Sequence, residues 1–150
     1  METAIAALHL LAAAVWVGGS TALIFVGVPA VRILEGEPRG RAMRELGLRW
    51  RPLGYGALLV AALTGVALAS RVWQHTASFQ IVLWVKVALA ACLVVVSYVH
   101  NFVLGPRLQL EMREGREQRT RPLLVAVGWT SYALTLALPV LGVVLQRLAG

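Results

Sequence analysis

Three basic side chains, His9, Lys86 and His100, stand inside four long stretches that otherwise carry no charge. An imidazole offers a nitrogen lone pair to a metal ion or a haem iron and exchanges a proton near neutral pH. An ammonium group offers a positive charge to an anion. Within an apolar membrane interior such groups are costly, so each is a candidate functional residue. The chemistry on offer is metal or haem ligation by the histidines and anion pairing by the lysine. No catalytic set accompanies them: Cys-X-X-Cys, Ser-His-Asp and phosphate-binding glycine-loop patterns are all missing. The lone Cys92 reads as a small packing residue in mid-span.

The acids sharpen the problem. All seven carboxylates are glutamates, at position 2 and in two groups of three at 35, 37 and 45 and at 111, 114 and 117. None falls in an apolar stretch. A proton-driven transporter usually carries an intramembrane acid, which argues against that class. Lys86 is therefore neutral, reaches toward outer water, or meets an exogenous anion such as a lipid phosphate or a haem propionate.

The elements that must hold these residues follow from the apolar runs. With 59% hydrophobic and 14% charged residues, the chain reads as one all-α membrane domain, 1–150. Crossing a ~30 Å hydrocarbon core takes ~20 apolar residues in a helix, and helices satisfy their own backbone in lipid. Four spans are predicted, at about 4–28, 52–70, 79–104 and 122–145, forming a four-helix bundle. The first reads as a membrane helix and not as a cleaved signal, because Met1-Glu2-Thr3 lacks a basic lead. Pro29 and Gly105-Pro106 are expected to end spans one and three, and Pro52 to begin span two. Glu35-Gly36-Glu37-Pro38 reads as a turn or helix start, followed by a short basic segment at 39–51 on the inner surface, and a helical extension is expected at 107–121.

The net charge of +7 does not point to nucleic acid, because 11 of the 14 basic residues lie between spans one and two or between spans three and four. By the positive-inside rule those two arginine-rich loops face the cytoplasm, while both termini and residues 71–78 face outward. A bacterial inner-membrane location is expected, in contact with the bilayer.

Depth separates the three candidates. His9 lies ~9 Å and Lys86 ~10 Å below the outer ends of their spans, and His100 lies ~21 Å deeper than Lys86. At 100° per residue Lys86, Ser97 and His100 share one face of span three, the line expected to face the bundle interior. His9, Trp16 and Ser20 form such a line on span one; span four offers Trp129, Tyr132 and Thr135 at spacings near three and four, and span two offers Tyr55 and Thr64. Bland readings stand beside the functional ones: an imidazole bonded within the bundle for His9, an interfacial polar residue for His100, snorkelling for Lys86. His75 reads as a solvated loop residue or as a further ligand beside His9.

His9-Leu-Leu-Ala and Ala14-Val15-Trp16-Val17-Gly18-Gly19, with Val28-Pro29-Ala30, resemble the first helix of the copper resistance D (CopD) family. Leu63-Thr64-Gly65, Trp84-Val85-Lys86-Val87-Ala88-Leu89, and His100-Asn101 with Gly105-Pro106-Arg107-Leu108 are similar to later segments of that family. The resemblance implies an inner-membrane protein that binds or transports copper; read from the residues, His9, His75 and Met1 with the terminal amine form an outer site able to hold one ion. Soft Cu(I) favours thioether and thiolate ligands, and here Met43 and Met112 fall in the arginine-rich loops, leaving Met1 outside. His9 with Lys86 also resembles HemJ-type protoporphyrinogen oxidases, although their Pro-Arg-Leu-Phe-Val-Tyr-His stretch is missing. That resemblance implies haem b, with His9 or His100 as axial ligand and Lys86 near a propionate. A third reading is a bundle completed by a second copy or by a partner membrane chain.

Overall fold

The computed structural model describes residues 2–70 and 76–149. Met1 and His75, two of the three expected copper contacts, lie outside the described residues, as does most of the 71–78 loop. Among the described residues all regular structure is helical, and four helices are long and apolar enough to cross a membrane. They are α1 (Glu2–Arg32), α2 (Gly36–Ala69), α3 (Ala77–Arg113) and α4 (Thr120–Ala149). Large apolar side chains stay exposed on every helix, among them Leu10 at 70%, Val66 at 71%, Val95 at 61% and Val140 at 62%. Exposed apolar surface on that scale suits lipid contact.

The helices do not end at Pro29 or Pro106. In α1 a π-helical turn, Leu23–Gly27, precedes Pro29, and the helix continues to Arg32. In α3 a second π turn, Val99–Leu104, precedes Pro106, and the helix continues to Arg113. A proline lacks the N–H that would bond four residues back, and its ring crowds that carbonyl. The wider turn relieves the conflict by shifting the preceding bond one residue further. Val28 donates to the Leu23 carbonyl and Gly105 to the His100 carbonyl, each five residues back.

Pro52 likewise lies inside a helix and does not begin one. The 39–51 segment is part of α2, whose true start is Gly36, at φ +59°, after an extended Glu35. Glu37 in the first turn favours the positive end of the helix dipole, and Glu37–Arg41 at 3.1 Å and Glu45–Arg49 at 3.8 Å support the turns that follow. With 34 residues, α2 is ~50 Å long, well beyond the apolar thickness of a bilayer.

The expected extension at 107–121 is half right. Helix α3 stops at Arg113, where Gly115, at φ +63°, turns the chain. Arg116 then donates to the Glu111 carbonyl at 2.9 Å, the six-to-one bond of a glycine-ended helix. The Glu111 carboxylate accepts from the Thr120 N–H at 3.1 Å and from the Thr120 hydroxyl, tying the end of α3 to the start of α4.

Two compact units divide the chain, one extending to Gln80 and the other from Ile81 to Leu148. Helices α1 and α2 build the first; α4 and nearly all of α3 build the second. The two share a residue pattern. Ser20, Phe25, Val26, Pro29, Tyr55 and Gly65 recur 77 positions later as Ser97, Phe102, Val103, Pro106, Tyr132 and Gly142. The π turns recur at the same shift to within a residue, and so does the order of helix, positive-φ glycine turn, helix. Each unit is thus a copy of one helical hairpin design. Under the same shift His9 falls on Lys86.

Candidate ligand seats

In the first unit, His9 is half-buried and faces α2. Its Nδ1 lies 2.9 Å from the Ala61 carbonyl oxygen and 2.9 Å from Thr64 Oγ1. A carbonyl can only accept, so Nδ1 carries the proton. The Thr64 hydroxyl gives its own hydrogen to the Val60 carbonyl at 2.6 Å, which leaves its oxygen to accept from His9. In a neutral ring this tautomer puts the basic lone pair on Nε2. A carbonyl-backed Nδ1–H is the usual partner of a histidine that ligates through its other nitrogen.

Glycine makes the seat possible. Ala61, Thr64 and Gly65 share one face of α2 through their i, i+3 and i+4 spacing. A Cβ on Gly65 would come within 3.2 Å of His9 Cε1, so the ring lies directly over the bare backbone.

Two turns further along α1, Trp16 is 7% exposed and meets Trp50 at 6.1 Å and Tyr55 at 6.3 Å between ring centroids. The Trp50 indole fills the space that side chains at 19 and 54 would take. A Cβ on Gly19 would lie 2.0 Å from its ring, and one on Gly54 would lie 2.8 Å away. This aromatic group fixes the spacing of α1 and α2 beside the His9 seat.

In the second unit the polar face predicted for span three does point at the paired helix. Lys86 is half-buried, with Nζ 3.2 Å from where a Cβ on Gly142 would be. His100 Nε2 lies 3.2 Å from where a Cβ on Gly128 would be. Between them Ser97, 2% exposed, is hydrogen-bonded to Ser131 at 3.0 Å. Asn101 donates to the Ser97 carbonyl at 2.9 Å. Thr135 is also 2% exposed, whereas Trp129 is 53% exposed and does not share its burial. Cys92 is exposed on α3, not packed inside, because it falls away from the Lys86–Ser97 face.

All three basic side chains of the spans therefore sit over a glycine of the paired helix. The structure places His9 in one unit and Lys86 and His100 in the other. Among the described residues no three histidine, cysteine or carboxylate side chains converge as a metal site. Sequence reasoning missed the glycines as seats and Thr64 as the orienting partner. The 77-residue shift was the available signal, since it matches Gly65 with Gly142 as it matches His9 with Lys86.

Fold and seats together define a multi-pass helical membrane protein with polar groups held between paired helices. No family model matches the chain, and neither a curated protein nor a solved structure matches it.

Proposed function

We propose that this protein is a CopD-like protein of the bacterial inner membrane that binds or moves copper through His9. Both termini lie outside, and the two arginine-rich loops lie in the cytoplasm, as the charge distribution favours. The observation that carries the reading is the Nδ1–H donated to the Ala61 carbonyl, which orients Nε2 as a ligand in the outer half of the bundle. Imidazole suits copper, and His75 and Met1, on the same outer side in this topology, would supply the remaining donors.

One observation favours a second reading, a haem b-binding membrane oxidoreductase. A single carbonyl-backed histidine is enough for axial ligation. His9 is then the first candidate for axial ligand and His100 the second. When bound, the haem would supply one-electron chemistry, while this chain would hold and orient it.

The visible spectrum of the purified protein separates the two. A colourless protein that binds Cu(I) at one equivalent, and loses it in His9→Ala, supports copper. A Soret band that vanishes in His9→Ala supports haem and overturns copper. Wild-type protein that takes neither ligand sinks both.

A further inference from the structure

We propose that Lys86 and Gly142 form a second ligand seat, one that takes the anionic oxygen of a membrane amphiphile, a phosphate or a carboxylate. The proposal is independent of what His9 binds.

The internal repeat locates the seat. Lys86 stands where His9 stands in the first unit, and Gly142 stands where Gly65 stands. In the first unit the basic side chain meets a hydroxyl from Thr64. In the second, the residue matching Thr64 is Leu141, so that hydroxyl is replaced by an apolar group. Among the described residues no hydrogen bond or ion pair reaches Lys86. The ammonium faces bare backbone at Gly142, and a Cβ there would approach Nζ to 3.2 Å. A large side chain at 142 would displace the flexible end of Lys86 from this position.

A charged Lys86 then has no counter-charge within reach on either helix of its own unit. Helix α4 carries no acid, and the nearest acid along α3 is Glu111, 25 residues from Lys86 or ~37 Å along the helix. A charged side chain within a span is expensive without a counter-charge. A phosphate or carboxylate supplies one and accepts the three N–H donors of the amine. The residues flanking the seat along the two helices keep apolar surface exposed: Val85 and Val87 are each 46% exposed and Val143 54%. An amphiphile satisfies both parts of this surface, with its head on Nζ and its chain along the valines.

The test uses the full chain, purified in an uncharged detergent and stripped of lipid. Binding of phosphatidylglycerol, of oleate and of inorganic phosphate is measured by native mass spectrometry and by the shift in unfolding midpoint. Wild-type protein is expected to bind phosphatidylglycerol or oleate, and the tighter of the two identifies the source as phospholipid or fatty acid. Lys86→Met should weaken that binding at least tenfold, Gly142→Leu should do the same with the lysine in place, and Lys86→Arg should retain it. His9→Ala should leave it unchanged, which separates this seat from the copper reading. Lys86→Met removes an intramembrane charge, so its ligand-free midpoint should equal or exceed that of wild type. Wild-type protein that binds neither amphiphile overturns the proposal, as does equal binding by Lys86→Met. Inorganic phosphate binding as tightly as either amphiphile removes the acyl part of the assignment.

Discussion

The two hairpins of this chain share a frame and differ in what they hold between their helices. In the first, Gly19 and Gly54 leave room for the Trp50 indole, and His9 bonds to Thr64 and Ala61. In the second, the residues matching Gly19 and Gly54 are Val96 and Ser131, and the residue matching Trp50 is Val127. There a Ser97–Ser131 hydrogen bond replaces the aromatic wedge, and Lys86 replaces the oriented imidazole. What stays constant is the backbone device: a π turn before a proline, a glycine turn, and a bare glycine opposite a basic side chain. What varies is the chemistry of the basic group and whether a hydroxyl orients it. An imidazole has two distinct nitrogens and needs orienting, whereas an ammonium is a point charge and does not.

The comparison breaks most sharply at Gly19. Gly19→Val gives the first hairpin the second hairpin's residue, and its Cβ would occupy the Trp50 ring. Overpacking of that kind costs ~3 kcal/mol, or prevents folding, and thermal unfolding in detergent should show it. Val96→Ala, at the matching position, should cost less than half as much; equal losses would mean the two interfaces are packed alike.

The next largest effect is at the orienting hydroxyl. Thr64→Leu copies Leu141 and removes one of the two Nδ1 acceptors while leaving the Ala61 carbonyl. Ligand affinity at His9 should fall ~10–100-fold, with the fold retained, since outer partners of ligating histidines typically carry that much. Titration of Cu(I), or of haem if the protein is coloured, measures it. An unchanged affinity would show that Thr64 is only a packing residue.

Glu111 caps α4, and the matching residue of the first hairpin is Leu34, which has no such role available to its side chain. Glu111→Ala should lower stability by ~1 kcal/mol, in the range of other lost helix caps. Leu34→Ala should leave the start of α2 intact, because Gly36 and not a side chain makes that turn. Amide exchange at the first turns of α2 and α4 distinguishes the two.

The smallest change expected is at Ser131. Ser131→Gly restores the residue of the first hairpin and loses the bond to Ser97, worth ~0.6 kcal/mol between membrane helices. A loss several times larger would mean that this bond, and not apolar packing, holds α3 to α4.

The number of spans was legible because it depends only on length and apolarity, and the lipid requirement for internal hydrogen bonding leaves no alternative to helices. The facing of Lys86, Ser97 and His100 was legible because the period of the helix is fixed. Most helix ends were not, although Glu35–Pro38 did read as the start that α2 makes at Gly36. Pro29, Pro52 and Pro106 look like boundaries to a local rule, yet α1 and α3 absorb theirs through π turns and α2 carries Pro52 within its length. The seats were hidden for a related reason: a glycine in a span reads as a packing residue until the side chain opposite it is known.

The sequence by itself therefore determined a four-span helical membrane protein, the residues able to do chemistry, and the 77-position repeat on which His9 and Lys86 coincide. Only the tertiary structure decided that each basic group lies over a glycine, and that the His9 proton sits on Nδ1. Those facts depend on which atoms of a second helix stand opposite. Such contacts join residues 28 to 56 positions apart, a distance over which no local pattern of residues carries information.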